Sequence, residues 1–269
     1  MVAPRHQTPA PVSNAPVSNE LALGEPLPAL PPSIRPLIRL GGGFSEALVP
    51  LPTGIDPVDR LLGGGFPRGH LSEITGPPSS GRTSLALLLS ATATRAGEVV
   101  AWVDGADAFD PSSARDAGID LDRLLWVRAP RIREALRSAE HLLAARGFAL
   151  VVLDLCRAVD PPAASALATA AWMRLARAAA SSGTALAVLG RDRLVGSHAA
   201  LVVDLRAIRL RFATSPAWLE GIEARVALTR HRLRPSEGFV PVHWKVPPLA
   251  RGVPDRAGPA RGRGAAGAS

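Results

Sequence analysis

Short apolar runs alternate along this chain with stretches of helical period. Leu71–Thr75, Val99–Asp104, Phe148–Leu155 and Thr184–Leu189 are compact and mostly apolar. Runs of that length without polar alternation suit strands covered on both faces. Between them, Thr83–Arg95 predicts a helix that stops at Gly97, a residue suited to a left-handed cap. Ile132, Ala135, Leu136, Ala139, Leu142 and Leu143 recur at helical spacing, so Arg131–Ala145 predicts an amphipathic helix. Ala163–Ala180 predicts an alanine-rich one. After Leu189 the alternation ends: Leu201–Phe212, Ile222–Leu233 and Phe239–Val246 read as strands in succession, so the sheet should finish antiparallel. The pattern predicts an α/β domain of three layers, with helices on both faces of a mostly parallel central sheet and antiparallel C-terminal strands.

The two ends break this pattern. Residues 1–45 are rich in proline, poor in large apolar side chains, and expected to form a disordered arm. Residues 247–269 carry Arg251, Arg256, Arg261 and Arg263 among Gly, Pro and Ala, and are expected to form a disordered basic tail. The core domain is therefore placed at 46–246. With 269 residues, 47% of them hydrophobic, the chain can bury one substantial core. Cys156 is the single cysteine, which excludes a disulfide framework and favours a reducing, cytoplasmic setting. No run approaches the roughly 18 apolar residues needed to span a bilayer. Net charge is +8, and Lys245 is the only lysine, so arginine carries nearly all the positive charge. Such a balance suits a polyanion such as DNA.

The candidate chemistry lies at Gly76-Pro77-Pro78-Ser79-Ser80-Gly81-Arg82-Thr83, between a predicted strand and a predicted helix. This spacing aims backbone N–H groups at phosphate oxygens. Gly76 and Gly81 permit close approach, Ser79 and Ser80 are compatible with that role, and Thr83 is the candidate magnesium ligand. Asp154, ending the apolar run Phe148–Leu155, fits the carboxylate that backs the metal through water. Arg82 stands where a lysine reaches the outer phosphates. Its planar fork does not replace a compact ammonium without shifting the loop, so hydrolysis should be weak or absent and no catalytic residue is assigned. ATP and Mg are the expected ligands of such a loop. The six histidines form no metal-ligand cluster, and His231 and His243 are expected at the surface.

With the loop placed, its surroundings resemble the RecA/RadA/KaiC group. Thr53-Gly54-Ile55-Asp56 and Leu61-Leu62-Gly63-Gly64-Gly65-Phe66-Pro67-Arg68-Gly69 match the lead-in of that group. Gly76–Gly81 and Val103-Asp104-Gly105-Ala106-Asp107-Ala108-Phe109-Asp110-Pro111 are closest to its bacterial RecA branch. The resemblance implies a RecA-like P-loop fold, and the departures bear on function. Ala106 stands where RecA carries the glutamate that polarises the attacking water, with Asp107 one position off. Gly190-Arg191-Asp192-Arg193 replaces the asparagine–glutamine pair that senses the γ-phosphate. Both DNA-binding loops are short, one confined to Leu155–Pro162 and the other ending by Leu201. Arg230 and Arg232 match two lysines that reach across a filament interface. A short RecA-like chain altered at all these points is similar to the ImuA family. That resemblance implies an accessory protein of DNA damage-induced translesion synthesis in the SOS response, working with an ImuB-like Y-family polymerase homologue, an error-prone replicative-type polymerase, and RecA or DNA as further candidates. The alternative is a DNA-dependent ATPase of the RecA/RadA group acting in recombinational DNA repair.

Overall fold

The computed structural model describes residues 49–156, 161–212, 219–233 and 237–245; the arm over 1–45 and the tail over 247–269 lie outside the described residues. An antiparallel bridge between Leu51 and Phe66 pinches a lead-in around α1 (Asp56–Leu62). Gly65 has φ +130°, and a Cβ there would lie 2.1 Å from Leu51 O, so only glycine permits that closure. The Asp59 carboxylate accepts from Thr53 N at 2.7 Å, Thr53 Oγ1 at 2.8 Å and Gly54 N at 3.1 Å, which fixes the turn into the helix.

β1 (Leu71–Thr75) leads through the loop into α2 (Arg82–Arg95), followed by β2 (Val99–Asp104), α3 (Pro111–Asp116) and β3 (Leu124–Arg128). α2 ends as expected near Gly97, which takes φ +82° while Glu98 N donates back to Ala93 O at 3.1 Å. Then come α4 (Ile132–Ala145), β4 (Phe148–Asp154), α5 (Pro161–Ser182) and β5 (Ala185–Leu189). The described residues finish in a meander of β6 (Leu201–Phe212), β7 (Leu219–His231) and β8 (Gly238–Lys245). β3 was not anticipated from the pattern. Its five residues are half-exposed or exposed, so it lacks the continuous apolar signature of its neighbours.

The eight strands lie in the order β3-β2-β4-β5-β1-β6-β7-β8. Pairing is parallel from β3 through β6 and antiparallel for β7 and β8. On one face Ile74, Trp102, Val152, Leu189 and Val203 join Leu85 and Leu89 of α2 and Val58 and Leu62 of α1 in one buried cluster. α4 and α5 supply buried Ala139, Leu143, Trp172 and Leu175. Each fully buried leucine of this kind contributes about 2 kcal/mol. β8 is the last strand of the sheet among the described residues, and Pro241 stands at its centre opposite Arg225. β6 runs on past β1: from Arg206 to Phe212 every residue is exposed.

Candidate functional site

The parallel register brings the C-terminal ends of β1, β5 and β6 together, with Ile74 beside Leu189 and Thr75 beside Asp204. Ligands of open α/β sheets bind outside those ends. The loop Gly76–Gly81 lies there. Gly76 has φ +146°, and a Cβ would come 2.2 Å from Leu205 O; Gly81 takes φ +94° and Ser79 φ +60°. These conformations bend the loop over the start of α2, whose first-turn N–H groups have no partner within the helix and carry the positive end of its dipole. Pro77, Pro78 and Ser79 are exposed, whereas Ser80 is buried, its Oγ without a hydrogen-bond partner among the described residues. The backbone fits a phosphate.

The side chain of Arg82 does not extend toward such a ligand. It is 7% exposed, and its Nη1 donates to Gly76 O and, at 2.9 Å, to Gly190 O. The guanidinium thus ties the loop's first residue to the end of β5, with Nε buried and without a partner among the described residues. Thr83 is exposed at the helix start. Asp154 ends β4, buried, and accepts from Cys156 N at 3.0 Å. Burial pushes its carboxyl above the ordinary value. Burial, reinforced by the Asp154 charge, pushes the Cys156 thiol up to about 12. The start of α2 therefore offers backbone donors to a phosphate, while the Arg82 cation is engaged by carbonyls of its own chain.

One neighbour escaped the sequence reading. A Cβ on Gly81 would fall 2.6 Å from Nε1 of Trp244, which β8 brings to the loop. The indole N–H is buried without a partner among the described residues. Its signal was hidden in the antiparallel register, which sets Trp244 opposite Ile222 on the core face.

Farther along the same end of the sheet, with β4 and β5 between it and β1, Asp104 at the end of β2 accepts from Ala108 N at 3.1 Å, Phe109 N at 3.0 Å and Trp126 Nε1 at 3.3 Å. It fixes the turn that holds Ala106 buried. Asp107 takes φ +49° and pairs with Arg128 at 2.6 Å, in a bridge whose side chains are 62% and 63% exposed. The hydrogen bond from Arg128 to Asp107 raises the arginine above its ordinary value. Only Gly190–Ala200 separates β5 from β6. Glu73, buried in β1, accepts from Leu194 N and, at 3.0 Å, from Val195 N; burial raises its carboxyl, while these bonds and Arg193 oppose the rise.

The two arginines of β7 and its end differ. Arg230 is half-buried and donates to Gly196 O at 3.1 Å, while Arg232 is exposed. His243 is exposed, but His231 is half-buried, its Nε2 3.3 Å from Leu62 O, because β7 packs against the end of α1. The described residues hold no group of three or more His, Cys, Asp or Glu fit for a metal, and no helix among them is long and apolar enough to cross a membrane.

Comparison with known proteins agrees with this architecture. The chain is similar to Protein RecA of Picosynechococcus sp., with 36% identity over 127 residues, covering 47% of this chain and 36% of that protein. Protein RecA of Nocardioides sp. is 41% identical over 128 residues, covering 47% of this chain and 37% of its own length. The matched region is thus little more than a third of the length of these relatives. The crystal structure of the RadB recombinase superposes with a TM-score of 0.58 at 23% identity, covering 71% of this chain and 94% of that one, a likeness of fold. The RecA N-terminal domain model matches residues 35–172, more than half of the chain, and on that match the chain belongs to the RecA family.

Proposed function

We propose that this RecA-like chain is an accessory protein of DNA damage-induced translesion synthesis, of the ImuA kind, which acts through protein and DNA contacts and not through ATP turnover. The observation that carries the reading is Arg82, whose guanidinium is bound to two carbonyls of its own chain. Ala106 at the water-activating position and Asp107 paired away to Arg128 support it. Its partners in this reading are an ImuB-like Y-family polymerase homologue and an error-prone replicative-type polymerase, with RecA as a third. ATP and Mg, when bound, serve as structural ligands: Ser79, Gly81 and the first turn of α2 would hold phosphate, Gly76 and Ser80 would shape the loop with their amides bonded to Arg191 O and Pro77 O, and Thr83 with Asp154 would hold the metal.

The retained loop backbone favours one rival, a DNA-dependent ATPase of recombinational repair. Turnover separates the two. The native chain and Arg82→Lys are each given Mg·ATP with and without single-stranded DNA. DNA-stimulated hydrolysis by the native chain overturns the accessory reading. Absence of turnover, together with co-purification of the Y-family homologue, is the expected result.

A further inference from the structure

We propose that Arg82 is an internal clasp, holding the phosphate loop and the segment after β5 together with no nucleotide between them. Three fastenings cross the same seam. The Arg82 guanidinium bridges Gly76 O and Gly190 O; Gly76 N donates to Arg191 O at 3.3 Å; and Glu73 accepts from Leu194 N and Val195 N. The first ties the loop to the end of β5, the second ties it to the next residue, and the third pins the remainder of the segment beneath β1. In a site of this architecture a bound phosphate would draw the loop cation outward. Here the cation draws the two elements onto itself.

The residue type follows from this task. Both bonds leave one nitrogen, Nη1, whose two N–H groups are held in the guanidinium plane and so fix the directions of both carbonyls, whereas an ammonium's donors rotate on a strongly hydrated point charge. A guanidinium only 7% exposed is costly to bury, and its bonds to the two carbonyl oxygens offset that cost. Trp244, against Gly81, covers the loop from another side. The clasp therefore sets the order of residues 190–196 by sequence, where a nucleotide-gated protein would set it by ligand. This does not rest on the translesion reading, because it concerns the loop whichever partners the chain has.

Hydrogen exchange on the full-length protein, read by mass spectrometry over peptides covering 190–196, tests it. In the native chain these amides exchange slowly, and saturating Mg·ATP leaves their rates unchanged. In Arg82→Lys and Arg82→Met they exchange about tenfold faster, the factor expected for loss of a charge-assisted hydrogen bond. Slowing of the native segment on addition of Mg·ATP overturns the clasp, as does native exchange in a variant that still melts cooperatively. Should both variants fail to fold, the native comparison with and without Mg·ATP decides alone. ATP turnover is scored separately, so failure of the accessory reading and failure of the clasp give different results.

Discussion

Asp104 gathers three donors from one turn and one strand, and all three lose their acceptor if it is truncated. Buried donors left unpaired are costly, so Asp104→Ala should lower stability by about 2–4 kcal/mol, with Asp104→Asn recovering part of the loss. Urea midpoints of the three proteins measure this. Cys156 gives a second expectation. A thiol pushed up to about 12 holds almost no thiolate near neutrality. Alkylation by iodoacetamide should run about a thousandfold slower than for an exposed cysteine and reach that rate only on unfolding. Fast labelling of the native chain contradicts the burial assigned here. At this scale the sequence was informative about chemistry and silent about direction. The spacing from Gly76 to Thr83 named the loop residues, and the guanidinium shape flagged Arg82. Neither disclosed that Gly190 O would accept from it, because that contact depends on β1 and β5 lying side by side.

At the scale of elements, Glu73 shows how one strand position couples β1 to the segment after β5. Its carboxyl is raised by burial above its ordinary 4.5. A raised carboxylate binds its proton more readily in the folded chain, so its contribution to stability is fullest at low pH and declines as pH rises through that value toward the folded one. Glu73→Gln removes that decline: as pH rises above about 4.5 the variant should lose less stability than the native chain, in paired urea titrations. A native profile as flat as the variant's excludes the linkage. The buried strands β1, β2, β4 and β5 were legible because continuous apolar runs have few other uses, and the three closing strands because no helical period separates them. β3 was not, since Leu124–Arg128 sits at the sheet margin with its side chains partly in water.

For the whole molecule, charge and architecture converge on the extended β6–β7 hairpin. Arg206, Arg209, Arg211 and Arg225 are all exposed there; Arg206 pairs with Asp204 at 2.9 Å, Arg211 with Glu223 at 2.9 Å, and Arg225 lies 3.9 Å over the Phe239 ring. In the proposed role, these arginines meet phosphates. Affinity for single-stranded DNA should then fall steeply with salt, with a logarithmic slope of about −2 if three phosphates are neutralised, and flatten when Arg206, Arg209 and Arg225 are replaced by alanine. Titrations at two salt concentrations measure it; negligible affinity at low salt removes DNA from the partners.

The far margin of the same sheet bears on how the protein behaves in crowded solution. A bare edge strand is a template on which a further chain can stack, and stacking repeated is how soluble proteins become fibres. Midway along β8, Pro241 withholds the amide hydrogen that such stacking requires, in the position where sheets tolerate proline. Concentrated stocks should therefore stay clear of growth from that side, and Pro241→Val should shorten the lag before thioflavin-positive material forms.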